Sequence, residues 1–172
     1  MYQKASFLSI LFLFNSWLSF AQGQSDSLSR LLESVKGKDR IIVLNGLATS
    51  IRESDQKRTI LLSTEADSLA KTVGDLSGRS RALENIGWSY YRLGDWQKSF
   101  DYSSRAFELA MESGDKRQAA RLMNNMGALY YEQKNHQKSI EQFKQGYRLA
   151  TEVNDLETQI RSLNNVALNF TQ

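Results

Sequence analysis

Arginine and asparagine recur together in this chain at a constant interval of 40 residues. Each arginine stands four residues, about one helical turn, before its asparagine, so a helix would present both side chains on one face. An asparagine amide can both donate to and accept from the backbone of an extended peptide, and an arginine guanidinium can bind a carboxylate through two parallel hydrogen bonds. The pairs are Arg81 with Asn85, Arg121 with Asn125, and Arg161 with Asn165.

Both residue types also have a purely structural interpretation, and the sequence leaves the two interpretations open. An asparagine at a fixed position can hydrogen-bond a neighbouring helix and fix its packing, and an arginine can simply be a solvated helix residue. Aromatic side chains near the pairs have the same two roles. We expect Tyr90 and Tyr130 in the core, whereas Trp88, Tyr91 and Tyr131 could stack on a ligand.

The composition leaves little room for catalytic chemistry. The chain has no cysteine and one histidine, His136, which argues against zinc sites and against Ser–His or Cys–His catalysis. No glycine-rich phosphate loop is present. The formal net charge is +3 without a basic run, which is too weak to indicate nucleic-acid binding. We therefore expect a protein that is not an enzyme and that binds no cofactor, metal or nucleic acid.

Residues 1–21 have the pattern of a secretory signal peptide. Lys4 gives a positive start, the stretch from Phe7 to Phe20 is mostly apolar, and Ser19 and Ala21 place small residues ahead of a cleavage site. An uncleaved membrane anchor is the alternative, but the apolar stretch is short for a span of about 20 residues. We predict cleavage after Ala21, export to the periplasm, and no stable membrane span in the mature part.

A repeat supplies the elements that must position the arginines and asparagines. A phrase that begins with asparagine recurs every 40 residues, and such a period is typical of a stacked array. Turn signals divide the chain about every 20 residues, since a glycine or asparagine can cap the helix before it and a neighbouring aspartate the helix after it. Helices of about 18 residues, paired as antiparallel hairpins, are predicted between the turns. The signals are Ser54-Asp55, Gly74-Asp75, Gly94-Asp95, Gly114-Asp115, Lys134-Asn135 and Asn154-Asp155.

The residues of this repeat resemble the tetratricopeptide repeat over about residues 40–172. The first helix of that family carries a Leu-Gly pair with an aromatic residue three positions later, and the second carries small, aromatic and small residues. The period is longer than the usual one of about 34 residues, and the customary proline between repeats is missing. HEAT and armadillo arrays have a similar period but lack the Gly-x-x-Tyr spacing. The matching residues are Ile86-Gly87 with Tyr90, Met126-Gly127 with Tyr130, Ser99 with Ala106, and Ser139, Phe143 and Gly146, whereas Ser103 stands where an aromatic residue is usual.

The resemblance implies an all-α fold, a right-handed superhelical array of antiparallel helix hairpins of the α-solenoid type. The first 21 residues would be the signal peptide and residues 22–37 a leader and N-terminal helix, which Gly37 closes. The array would cover residues 38–172. Because the sequence stops inside the first helix of a fourth unit, we expect it to be part of a longer protein. The expected units are about 38–74, 75–114, 115–154 and a partial unit 155–172.

The same resemblance implies a protein–protein interaction scaffold whose first helices line a concave groove. The two polar rows are similar to the asparagine rows of peptide-binding arrays, so we expect the groove to bind an extended, acidic peptide or partner segment. Exported bacterial arrays of this type often precede a histidine kinase or a nucleotide cyclase, which suggests the sensory part of a signalling protein. The alternatives are a structural or oligomerisation segment that self-associates through the incomplete C-terminal hairpin, and an accessory region of a truncated enzyme.

Overall fold

A computed structural model of the chain describes residues 27–170; the predicted signal peptide, residues 1–21, lies outside this range. Residues 27–32 are helical and a turn follows at 33–34, so the expected N-terminal helix ends before Gly37, which is the first residue of the next helix. Seven helices follow in the described part of the chain: α1 Gly37–Ile51, α2 Gln56–Thr72, α3 Leu76–Arg92, α4 Trp96–Glu112, α5 Lys116–Glu132, α6 His136–Glu152 and α7 Leu156–Asn169.

The turns confirm the capping chemistry that the sequence predicts. The side chain of each turn aspartate, or of Asn135 in its place, accepts a hydrogen bond from the backbone N–H three residues later, as an N-cap does. The preceding residue has a positive φ in all but the first of these turns, which suits a left-handed helix cap. The capping residues are Asp55, Asp75, Asp95, Asp115, Asn135 and Asp155, with N···O distances of 2.9 to 3.3 Å.

Consecutive helices pack as antiparallel hairpins, and the hairpins stack into an all-α solenoid. The first helices of the units are α1, α3, α5 and α7, and the second helices are α2, α4 and α6; each first helix also contacts the next first helix. The buried residues of one core cluster come from three consecutive helices, α3, α4 and α5. A hairpin therefore completes its core only on its neighbour, as expected for a repeat array. The cluster consists of Leu83, Ile86, Ala106, Ala110, Ala119 and Leu122, with Tyr90 and Tyr102 packed against it.

Glycine allows the close approach within the third hairpin. A Cβ built on Gly127 would lie 2.6 Å from the ring of Phe143, and a Cβ on Gly146 would lie 3.1 Å from the carbonyl oxygen of Ala120. Real Cβ atoms essentially never lie within 3.0 Å of such a neighbour, and 3.1 Å is tighter than nine in ten of their contacts, so glycine at both positions lets α5 and α6 pack this closely. These contacts set the separation of the two helices within the hairpin.

Candidate functional site

The first helices of the units line one continuous groove with a volume of about 780 Å³. No residue of α4 or α6 borders this groove, so it is the face of the array formed by α1, α3, α5 and α7. Charged and polar side chains alternate along it with a few apolar ones. The groove residues used below are Ile42, Arg52, Asp75, Arg81, Glu84, Trp88, Arg121, Asn125, Glu157 and Arg161.

The three predicted arginines all reach this groove. The side chain of Arg81 is 55% exposed, and its Nη2 lies 3.7 Å from Oδ2 of Asp115, the N-cap of α5. The guanidinium of Arg121 donates to Oε1 of Gln118 on its own helix. Nη2 of Arg161 lies 3.8 Å from Oε1 of Glu157. These contacts are long or local, so the arginines keep donors for a ligand.

The arginine row also affects the N-caps of the following helices. Partial burial opposes ionisation of Asp155, but hydrogen bonds from Thr158 and the guanidinium groups of Arg117 and Arg121 outweigh it and lower the pKa of this carboxyl. The carboxylate of the cap is therefore held ionised beside the groove arginine of the preceding unit. At the equivalent place in α1 the residue is Ile41, which is buried, so the row of groove arginines begins at α3.

The asparagine row divides into packing and groove residues. Asn85 is 1% exposed; its Nδ2 donates to the carbonyl of Asn45 at 3.3 Å, and its Oδ1 accepts from Oγ1 of Thr49 at 3.1 Å. Asn45 in turn donates to the carbonyl of Gly78 at 2.9 Å. The structure thus places Asn85 between α1 and α3, as a helix-packing residue, and does not present it to the groove.

Asn125 and Glu84 form a link that the sequence did not indicate. Glu84 of α3 accepts from Nε2 of Gln118 at 2.7 Å through one carboxylate oxygen, and from Nδ2 of Asn125 at 3.3 Å through the other. Both donors belong to α5, so one carboxylate joins two successive first helices. Asn165 is partly buried on α7, and its carbonyl accepts from Asn169 at 2.9 Å.

Trp88 is the aromatic residue of the groove. The guanidinium carbon of Arg52 lies 5.1 Å from the centre of its ring, within cation–π range, and the ring of Tyr91 lies 5.3 Å away. Its indole Nε1 is buried and has no hydrogen-bond partner in the described part of the chain. Burial, together with the hydrogen bond to the Glu132 carboxylate, raises the pKa of Tyr91. Tyr131 instead packs edge-on against His136.

Residues 27–170 contain no cluster of three or more acidic or histidine side chains that could hold a metal ion. None of the helices within that range is both long enough and apolar enough to cross a bilayer. The groove combines four guanidinium groups, three carboxylates, the half-buried indole of Trp88 and the amides of Asn45 and Asn125. Such a set can bind carboxylates and extended backbone.

The fold defines a helical-repeat array, a class of protein that presents extended binding surfaces. Residues 78–152 match the model of the tetratricopeptide repeat family, so this part of the chain consists of tetratricopeptide repeats. The identification confirms the family that the Gly-x-x-Tyr spacing predicted. No curated protein sequence matches the chain.

Two solved structures share this architecture at low sequence identity. A Signal Transduction ATPase with Numerous Domains (STAND) protein with a tetratricopeptide repeat sensor, from Pyrococcus horikoshii, superimposes with a TM-score of 0.67 at 14% identity over 91% of this chain. BtubC (BKLC) from P. vanneervenii superimposes with a TM-score of 0.54 at 13% identity over 92% of this chain. The chain spans 26% of the first protein and 73% of the second. At this identity the likeness concerns the fold alone.

Proposed function

We propose that the groove of first helices binds an extended, acidic segment of a partner protein. Tetratricopeptide repeats mediate protein–protein interaction, and the proposal names the surface and the ligand class. One observation carries it: Arg81, Arg121 and Arg161 occupy the same position in three successive first helices and all border one groove. Regular spacing of guanidinium groups along a stacked array suits regularly spaced carboxylates on an extended chain.

Two of the three groove carboxylates are hydrogen-bonded by amides, so they do not pair with the row arginines. Asp75 is occupied as the N-cap of α3, and both oxygens of Glu84 accept from amides of α5. Only Glu157, which is exposed, pairs with a row arginine within the groove. An exposed ion pair contributes about 0–1 kcal/mol, and a ligand that excludes water can raise each contact to about 1.5–3 kcal/mol. Binding should therefore need several arginines together and should weaken with salt.

Asn125 and Trp88 complete the proposed contact set. Nδ2 of Asn125 is held by Glu84, which leaves the Oδ1 atom to accept from a peptide N–H. The half-buried ring of Trp88 offers a face on which an apolar or planar group of the ligand can stack. We retain Asn165 as a weaker candidate because, unlike Asn125, it is not among the residues that line the groove. Asn85 is assigned to packing, so the proposed set is Arg81, Trp88, Arg121, Asn125, Arg161 and Asn165.

A charge-reversal experiment tests the arginine row. The probe is a fluorescein-labelled peptide of alternating Glu and Gly, and its binding to the full chain is followed by fluorescence anisotropy. Replacing Arg81, Arg121 and Arg161 by Glu together should weaken binding at least about tenfold, since three attractive contacts become repulsive. The matched control carries Arg58→Glu, Arg105→Glu and Arg148→Glu on the second helices, with the same change in net charge.

The two triple variants separate site from net charge. A large loss in the groove variant with a small loss in the control supports the proposal. Equal losses in both would show that only the overall charge matters, and unchanged binding in the groove variant would show that the row does not contact the probe. Circular dichroism of both variants checks that the helices are intact.

We propose further that this scaffold is exported. It would serve as the sensory part of a signalling protein or as the accessory region of an enzyme. The signal-peptide pattern of residues 1–21 supports export. The sensor role has support only from the Pyrococcus horikoshii protein, whose repeats are described as a sensor. N-terminal sequencing of the periplasmic form tests export: a start at Gln22 is expected, and retention of the chain in the cytoplasm would contradict it.

Self-association is a second candidate function, and it concerns a different surface. The last described helix, α7, exposes large apolar side chains on the side that faces away from α5 and α6. Exposed apolar patches of this kind mark interaction surfaces. A structural or oligomerisation role therefore does not compete with the groove for the same residues.

A further inference from the structure

The distance between successive first helices is short, because their side chains bond directly across it. Nδ2 of Asn85 donates to the backbone carbonyl of Asn45, its equivalent in the preceding unit, at 3.3 Å. The lengths of an asparagine side chain and of a carbonyl add at most about 6 Å, so equivalent Cα atoms of α1 and α3 lie within about 9–10 Å. Packed helices have the same separation, about 8–10 Å between axes. Glu84 links α3 to α5, and Nδ2 of Asn124 links α5 to Oγ of Ser162 on α7 at 2.9 Å.

The guanidinium groups of the last two units repeat at this same step. Arg121 donates to Oε1 of Gln118, and Arg161 donates to Oγ1 of Thr158 at 3.4 Å. Each acceptor stands three residues before its arginine, so α5 and α7 hold their guanidinium groups in the same way. The arginine of α3 extends instead towards the N-cap of α5. The row therefore presents positive charges to the groove at intervals of about 8–10 Å.

Of the two regular extended conformations, one matches this interval. In a β-strand, side chains on one side recur every second residue, about 6.6 Å apart, and the next interval is about 13 Å. The first value is too short for the arginine row and the second is too long. In the polyproline II conformation, the chain has three residues per turn and rises about 3.1 Å per residue, so every third side chain points the same way about 9.3 Å further along.

We infer that the groove selects a segment in polyproline II conformation that carries an acidic residue at every third position. The three carboxylates of such a segment would meet Arg81, Arg121 and Arg161 in order, and about seven residues would span the row. The inference rests on the proposed function, the binding of an extended acidic segment, and adds the spacing and conformation of that ligand.

The helical wall of the groove also favours this conformation. The first helices use their backbone N–H and C=O groups within the helix, so a β-strand would find no backbone partner there and side chains must hold the ligand. A polyproline II segment forms no internal hydrogen bonds, which leaves its peptide groups available to Asn125 and to the arginines. Proline also presets this conformation, so the ligand loses less conformational entropy on binding.

Two peptides of one composition test the spacing. Each is a fluorescein-labelled nonapeptide of three glutamates, three prolines and three alanines, so the two carry the same charge. In the first peptide glutamate stands at every third position, and in the second at every second position. Fluorescence anisotropy with the full chain should show at least about fivefold tighter binding of the first peptide, because the carboxylates of the second cannot all meet arginines.

The outcomes separate this inference from the proposed function. Equal binding of the two nonapeptides, or tighter binding of the second, would overturn the inference and leave the acidic groove ligand standing. If neither nonapeptide binds, the inference fails, and the Glu-Gly peptide decides the rest. Its binding would leave the proposed function standing, whereas its failure to bind would overturn both.

Arg121 tests the register, because it is the middle arginine of the row. In either direction of the ligand, the middle glutamate of the first peptide must face it. Arg121→Gln should weaken binding of that peptide about fivefold or more, but should have little effect on a version with glutamine in place of the middle glutamate. Versions with glutamine in place of the first or the last glutamate should stay sensitive, since their two remaining carboxylates still need Arg121.

Arg148→Gln is the matched control, because Arg148 is exposed on α6, does not border the groove, and loses the same charge. It should leave the affinities of all versions unchanged. Equal sensitivity of all the peptide versions to Arg121→Gln would overturn the assigned spacing.

Discussion

The second and third hairpins have the same architecture and register, but different side chains fill the contact between their two helices. In the third, the buried ring of Phe143 rests on Gly127. In the second, Ser103 stands opposite Gly87, and neither residue supplies bulk. A cavity of about 10 Å³ lies beside Ser103, between α3, α4 and α5, and is close to the smallest space that holds one water molecule. Its lining includes Trp88, which also borders the groove.

The difference shows where the array is packed and where it can adapt. In the first hairpin the bulk lies on the first helix, with Leu47 opposite Ser63, and in the third it lies on the second helix. Of these three hairpins the second alone lacks bulk on both sides, and the large side chains that line the cavity beside it are Trp88, Tyr91 and Leu129. We infer that the helix contact of the third hairpin depends on one large side chain, whereas that of the second leaves a small space beside Trp88.

Removing the aromatic ring of Phe143 should have the largest effect on the free energy of unfolding. Phe143→Ala should lower the free energy of unfolding by about 3–5 kcal/mol, because a buried aromatic side chain is lost and a cavity remains against Gly127. Ser103→Ala, at the same position of the second hairpin, should cost less than about 1 kcal/mol. Urea denaturation of both variants measures the contrast. Similar losses at the two positions would contradict the comparison.

Adding a methyl group under the ring should have the next largest effect. Gly127→Ala should lower the free energy of unfolding by about 1–3 kcal/mol. The new Cβ would lie 2.6 Å from the ring of Phe143, which is buried. Gly46→Ala is the control: its Cβ would lie 3.7 Å from Leu28, an ordinary contact, and alanine favours the helix by up to about 1 kcal/mol. Thermal unfolding should shift down for the first variant and slightly up for the second.

The turns of the two hairpins provide the smallest contrast. Gly94 in the second hairpin and Lys134 in the third both have a positive φ, 78° and 59°. Lys134→Gly should stabilise the protein by about 1 kcal/mol or less, because a side chain is removed from a left-handed position, and Gly94→Ala should destabilise it by a similar amount. If the free energy of unfolding changed in the same direction in both variants, the left-handed conformation of these two turn residues would not be what determines the effect.

The sequence predicted the fold because its strongest signals are periodic and local. The Asp caps, the positive-φ turn positions and the Gly-x-x-Tyr spacing depend on residues within one hairpin. The burial of Asn85 could not be read in this way, because its position faces the preceding first helix, and only stacking brings Asn45 and Thr49 into contact with it. The link from Glu84 to α5 was missed for the same reason. The sequence signal for this link is that an acidic residue, Glu84, directly precedes Asn85 of the asparagine row.

The central claim, that a ligand binds along the first helices, is tested most directly by the two indole N–H signals of Trp88 and Trp96. Trp88 borders the groove, whereas Trp96 begins α4, a second helix that does not border it. The full chain is labelled with ¹⁵N, each signal is assigned with a Trp→Phe variant, and the Glu-Gly peptide is added. The account predicts that the Trp88 signal shifts with peptide concentration and that the Trp96 signal stays in place. A shift of Trp96 with Trp88 unmoved would contradict it.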